Sequence, residues 1–260
     1  MFAITTRNKL RGPRYAVNMI WAWRHVRRQL ARTPGMLAYT TGIANPTEFY
    51  TLTLWQREID MFLFMSSDAH RDLMWNFRDW TQSFWSMRWN AAHGEIGSWN
   101  GSMFGTLDDE RPREPATHQW PGYLDHGQLP ERLKPLLRSI ARPTQPAPLD
   151  FDAVIGRIAV RSPAELFRVR RTLHPWARKP GLERFVLATG LGDCLVLAVW
   201  KGKAAAATTE LMADIATHLP HSWAMRFAAT DFEIGHWDRF RFRDSNEVDA
   251  DPSPSIVPAR

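Results

Sequence analysis

The sequence predicts an α+β fold made by duplication: two βαββαβ units in one chain, with their antiparallel sheets packed face to face. The first observation behind this is a repeat. Segment 85–99, WSMRWNAAHGEIGSW, recurs 138 residues later at 223–237 as WAMRFAATDFEIGHW, with eight of fifteen positions identical. Upstream, Arg32, Pro34 and Gly35 answer Arg178, Pro180 and Gly181, and Trp55 answers Trp200. Self-similarity at a near-constant offset marks one supersecondary unit per copy, each burying its apolar face against the other. The second observation is that both copies show the same order of strand-like and helix-like apolar patterns.

In the first copy, residues 2–9 read as a strand, and Pro13 opens a helix that runs to about Leu30, where Pro34 and Gly35 stop it. Residues 36–41 and 48–55 then form an antiparallel pair. The second copy repeats this with a strand at 154–160, a helix opening at Ser162 and Pro163, and strands at 182–189 and 194–200. Along the later strands Tyr50, Leu52 and Leu54 share one face and match Leu195, Leu197 and Val199, so that face is expected under the helices. Phe49, Thr51, Thr53 and Trp55 would then face the other copy's sheet.

The second helix of the first copy carries His70, Leu73, Phe77, Trp80, Phe84 and Met87 at spacings of three or four, a continuous inward stripe. Ser66, Ser67 and Asp68 form its expected N-terminal cap. The repeated block is expected at the joint between the last helix and last strand of each copy, with Arg88 pairing with Glu95, and Arg226 with Glu233, across that turn. The repeats are bounded at 1–104 and 152–243. Between them, 105–151 holds eight of the 18 prolines and reads as a connector with a short helix at 131–141, and 244–260 reads as a disordered tail.

Composition narrows the function classes. A hydrophobic content of 44% with 13 tryptophans fits a packed globule. No apolar run approaches the ~18 residues of a membrane span, and the N-terminal stretch lacks a signal-peptide segment, so a cytoplasmic protein with no membrane partner is expected. Cys194, the single cysteine, cannot form an intramolecular disulfide and reads as a small buried apolar side chain. The net charge of +6 raises the question of nucleic acid. Arginines cluster at Arg24, Arg27, Arg28 and Arg32 and at Arg168, Arg170, Arg171 and Arg178, but no recognised binding motif accompanies them, so nucleic acid is not an expected partner. No ligand-spaced His/Cys cluster or phosphate-binding glycine loop is present, and no metal is expected.

The strand–helix–strand–strand–helix–strand order, with FYTLTLW closing on Trp55 and followed by DMFLFMSSDAHRDLM, resembles the dimeric α/β-barrel superfamily of ferredoxin-like repeats, in particular its antibiotic-biosynthesis monooxygenases. Phe64, Ser67, His70 and Met74 carry most of the likeness. The resemblance covers most of 1–104 and 152–243 and implies an intrachain dimeric α/β barrel. The second copy lacks the AHRDLM segment, which suits a partner lobe better than a second active site. The oligomeric state is expected to be monomer or homodimer.

Residues shared by both copies are best explained by structural needs common to both, and residues peculiar to one are the better site candidates. That selects His70, Trp75, Asn76 and Trp80 in the first copy and His218, His221 and His236 in the second. The resemblance implies an oxidoreductase of monooxygenase type acting on a hydrophobic or aromatic small molecule, whose deprotonated form itself supplies an electron to oxygen. In that reading His70 is the base, Asn76 or Arg88 holds the developing anion, and Trp55, Trp75, Trp80 and Trp85 bind substrate. The cofactor is then none. A haem-binding relative is the alternative, with His218 or His221 on a non-covalent haem. A third reading is a small-molecule binding protein without chemistry.

Overall fold

A computed structural model describes residues 1–105, 149–238 and 240–242; the connector helix expected at 131–141 and the tail expected at 244–260 lie outside them. The first repeat runs β1 (Phe2–Leu10), α1 (Ala16–Leu30), β2 (Met36–Asn45), β3 (Glu48–Trp55), α2 (Glu58–Ser66), α3 (Asp68–Trp80) and β4 (Thr81–Gly97). The second runs β5 (Phe151–Ala159), α4 (Pro163–Leu173), β6 (Leu182–Thr189), β7 (Asp193–Lys201), α5 (Ala205–His218) and β8 (Ser222–Gly235). Helix α4 starts as its sequence dictates: Pro163 takes an early position with its φ preset, and the Ser162 hydroxyl accepts the Glu165 amide.

Each repeat orders its strands 4-1-3-2, and the two sheets join edge to edge into a closed barrel, β1-β3-β2-β6-β7-β5-β8-β4, with every neighbouring pair antiparallel. This is the architecture of an intrachain dimeric α/β barrel. Closure removes the four strand edges that two open sheets would leave unpaired. The two seams differ. Strands β4 and β8 pair from Trp85 opposite Gly235 to Gly97 opposite Trp223, whereas β2 and β6 meet in register only at Ile43 and Thr189. At that second seam a Cβ on Gly42 would stand 2.6 Å from the Ala188 backbone, so the approach requires glycine.

The two faces of the sheet are the reverse of those expected. Tyr50, Leu52, Leu54, Leu195, Leu197 and Val199 point into the barrel with Trp85, Met87, Trp89, Trp223 and Phe227. Trp55 packs beneath the helices against Val26, Leu30 and Phe64, and Phe49 against Met19 and Phe77. A period of two shows which residues share a face, but here both faces are apolar enough to be buried and the pattern does not say which is the inside.

The long stripe also divides. His70, Leu73, Phe77 and Trp80 lie on α3, but β4 begins at Thr81, so Phe84 reaches the helix layer and Met87 the barrel interior from a strand. Trp85, Met87 and Trp89, alternating inward, were the competing signal. Helix α3 starts at the expected cap, Asp68 taking a left-handed φ of 45°, and α2 precedes it as a separate helix that ends at Ser66. The Ser67 side chain makes no capping bond to α3.

The repeated block is strand rather than joint. Its identities are explained by contacts between copies: the Trp85 indole donates to Glu233 (2.8 Å), and the Trp223 indole donates to Glu95 (2.5 Å). Arg88 pairs with Glu58, and Arg226 with Asp152, so the expected Arg–Glu pairing across the turn does not form. Gly97 and Gly235 end the two strands with φ of 66° and 76°, and a Cβ there would lie 2.0 Å from the Ser222 carbonyl or 2.1 Å from that of Phe84.

Beyond each glycine the chain doubles back through matching turns, Trp99 bridging to Ser102 and Trp237 to Phe240. Phe104 and Phe242 return to the barrel, where the Phe104 amide donates to Glu95 and the Phe242 amide to Glu233. An arginine on the first strand of each repeat meets each turn. Arg7 binds Glu48, Asp238 and the Tyr50 hydroxyl with Trp237 over its guanidinium. Arg157 binds Asp193 and Asn100 beneath Trp99. Arg7 is buried, and burial pushes its pKa down, but the neighbouring Tyr50, Glu48 and Asp238 outweigh this and raise it.

Removing one acceptor should therefore be costly. Glu95→Ala leaves the Trp223 indole and the Phe104 amide without their partner, and a loss of about 2–4 kcal/mol is expected from two such groups. Denaturant unfolding checks it; a midpoint shift equivalent to less than about 0.5 kcal/mol would show the reciprocal pairs to be incidental.

Candidate functional site

Because barrel and turns serve both copies alike, the asymmetric features bear on function, and the largest is the break between α2 and α3. The second repeat has one uninterrupted helix, α5, in the corresponding place. The break is held from α1. Gln29 is buried, and its amide is used on both sides: Nε2 donates to the carbonyls of Phe64 and Ser67 and to the Ser67 hydroxyl, while Oε1 accepts the His70 amide at 2.9 Å. The His70 amide is a backbone group that the interruption frees from α-helical pairing, whereas the Ser67 carbonyl also takes the Arg71 amide, and a buried unpaired group is expensive.

His70 follows directly. Its Nδ1 lies 3.1 Å from the Met65 carbonyl, its ring is 4.7 Å from that of Phe64, and Phe64 is 5.5 Å from Trp55. Since a carbonyl only accepts, Nδ1 carries the proton and Nε2 is left with its lone pair. Among the described residues Nε2 has no hydrogen-bond partner. Desolvation pushes the pKa of His70 down to about 4, overriding the opposing effect of the Met65 bond, so the imidazole is neutral at pH 7.

The other sequence candidates are scattered around this centre. Trp55 joins it through Phe64, although its indole is already donated to Thr53 (2.8 Å). Trp80 lies in the same helix–sheet layer but in the adjoining cluster with Leu10, Met19, Phe49 and Phe77; Leu73 touches both clusters. Arg88 sits opposite Ile4 and so on the helix-facing side of β4, with its guanidinium 2.8 Å from Glu58 and above Phe232. Trp85 is not in this layer: it is fully buried on the opposite face of the sheet, inside the barrel. Asn76 is exposed and donates to the Asp72 carbonyl one turn earlier in α3. The side chain of Trp75 is outside the described set. His218, ending α5, and His221, in a left-handed conformation before β8, are both exposed, and His236 is half-buried with its amide bonded to the Phe84 carbonyl.

Gln29 and Arg7 were missed. A lone Gln on the buried side of a helix has no spacing signature, and its importance comes from the break it fills. Arg7 had a counterpart in Arg157, but at an offset of 150 rather than 138 or 145, which hid it.

No family model and no curated protein matches the chain. Among solved structures, an antibiotic biosynthesis monooxygenase is 14% identical with a TM-score of 0.34, covering 36% of this chain and all of its own. SnoaB, a cofactor-independent oxygenase from Streptomyces nogalater, is 10% identical in the mutant form compared, with a TM-score of 0.32, covering 36% of this chain and 94% of its own. An anthrone oxidase-like protein is 13% identical with a TM-score of 0.33 and covers 89% of this chain and 92% of its own. The fold assignment rests on the strand order and pairing described above. Among the described residues, no helix is long and apolar enough to cross a membrane and no group of three metal-binding side chains comes together.

Gln29→Leu keeps the volume and removes the amide. It should cost about 1–3 kcal/mol by stranding the His70 amide, and it should speed amide exchange at residues 67–71 more than elsewhere. Unchanged exchange there would remove Gln29 from its role in holding the break.

Proposed function

We propose that this chain is an oxidoreductase of monooxygenase type that takes a hydrophobic, aromatic small molecule between the broken α2–α3 helix and the first sheet, with His70 as base and no bound cofactor. The observation that carries this is the state of His70: a neutral imidazole with Nδ1 engaged by Met65, Nε2 unpartnered among the described residues, Phe64 beside it and Trp55 against Phe64. The sequence resemblance to the antibiotic-biosynthesis monooxygenases supplies the reaction class.

In this reading Nε2 accepts the acidic proton of a phenol- or quinol-like substrate. An imidazole held at a pKa of about 4 is a weak base toward such a group in water. The anion forming beside it restores its basicity, because imidazolium and phenolate neutralise one another where neither charge is well solvated. The substrate anion passes one electron to O2, and the resulting radical and superoxide combine to form a C–O bond. When that peroxide's O–O bond breaks, one oxygen stays on the substrate as a carbonyl and the other leaves as water with the two remaining protons. The residues orient, exclude water and hold the transferred proton. Trp55 and Phe64 provide flat apolar contact, and Arg88, already paired with Glu58 on the helix-facing side of β4, holds the anion. Asn76 is not assigned a part, since its amide is committed on the exposed side of α3. The haem alternative draws no support from His218 or His221, which lie on the surface.

Oxygen uptake with a dihydroxynaphthalene or comparable quinol tests this. His70→Ala should lower kcat/KM by about 10²–10⁴-fold. For the native protein, kcat/KM should hold down to about pH 5 and fall as His70 is protonated near its pKa of about 4, with no limb near 6.5. Activity that survives His70→Ala would contradict the role of His70, and uptake by neither protein with any quinol tried would favour the binding protein without chemistry.

A further inference from the structure

The outer face of α1 is a second unexplained feature, separate from the His70 layer. Residues 1–47 contain eight Lys and Arg and no Asp or Glu; the first carboxylate of the chain is Glu48. Five of these arginines, Arg14, Arg24, Arg27, Arg28 and Arg32, are exposed on or beside α1, and none forms an ion pair among the described residues. The acidic side chains of the neighbouring helix α3, Asp68, Asp72 and Asp79, are exposed too, and Asp72 is taken by Arg71. Between the arginines the same face presents Val17, Ile20 and Trp21 at 63%, 51% and 60% exposure. With Arg24 and Arg28 they follow the spacing i, i+3, i+4, i+7, i+11, a single helical stripe. The inner stripe, Met19, Val26 and Leu30, is already buried.

We infer that this face of α1 rests on an anionic lipid surface, with Trp21, Ile20 and Val17 entering the interface and the arginines meeting the headgroups. Charge decides the class of partner: two copies of this face would bring ten arginines together, none of them ion-paired among the described residues, so self-association through it is opposed, and an anionic surface is the complement. The exposed apolar residues decide between anions. A nucleic-acid phosphate backbone gains nothing from Val17 and Ile20, whereas a bilayer interface takes up an apolar stripe flanked by Trp and Arg. The contact is peripheral and needs no spanning helix.

Sedimentation of the full chain with vesicles of phosphatidylcholine alone, and of phosphatidylcholine with a third phosphatidylserine, tests this. Binding is expected to the anionic vesicles only, to weaken with salt, and to fall at least about tenfold for Ile20→Glu/Trp21→Glu and for Arg24→Glu/Arg28→Glu. These side chains are exposed, so both variants should unfold at the native denaturant midpoint. No binding to anionic vesicles, or equal binding by both variants, overturns the inference. So does concentration-dependent dimerisation, or retention by duplex DNA, that is lost in Trp21→Glu while vesicle binding is unchanged.

Discussion

The structure depends on a reciprocal exchange at the β4–β8 seam: each repeat places a buried tryptophan whose only polar atom must find an acceptor, and the acceptor is the glutamate of the other repeat. A Trp indole sealed in a barrel without a partner would forfeit much of what its ring gains by burial. The same glutamates accept the amides of Phe104 and Phe242, so the seam, the return turns and the aromatic plugs are tied to two carboxylates. Neither repeat supplies the acceptor for its own Trp, which makes the pair of repeats, rather than each one, the unit that closes.

That dependence separates architecture from function. Trp85 and Trp223, with their Met, Arg, Glu and Gly companions, are chemical-looking residues whose duties are structural. Arg7 and Arg157 extend the pattern, each joining an acidic residue at the start of a third strand to an Asx residue with positive φ on the return turn, Asp238 at one mouth and Asn100 at the other. With both mouths occupied by these clasps and by Trp99, Trp237, Phe104 and Phe242, the interior reads as packing. The departure from symmetry lies outside the barrel, where α2 and α3 part at Ser67 and Gln29 supplies the pairing that an unbroken helix would have provided.

Much of this could be read from the sequence, and what could not has definite causes. The duplication, the strand order within each repeat and most strand limits were legible because β-branched and aromatic runs, prolines and Pro-Gly stops recur in both copies. Which face of β3 and β7 is interior was not, because a sheet covered by helices on one side and curled on itself on the other is apolar on both. The end of α3 was hidden because Phe84 and Met87 continue a helical spacing by coincidence after the chain has become a strand. His70 stood out as peculiar to one copy, but its tautomer, its Met65 contact and its dependence on Gln29 are tertiary facts. Trp85 was drawn toward the site by its chemistry, and the pleat sends it to the other side of the sheet.

The claim that matters most is that the broken helix fixes His70 as a neutral imidazole with Nδ1 protonated. A 15N NMR titration of the histidines tests it without any substrate. One histidine, absent in His70→Gln, is expected to show the Nδ1–H tautomer and to titrate near pH 4. A His70 resonance titrating near 6.5, or one in the Nε2–H tautomer, would contradict it.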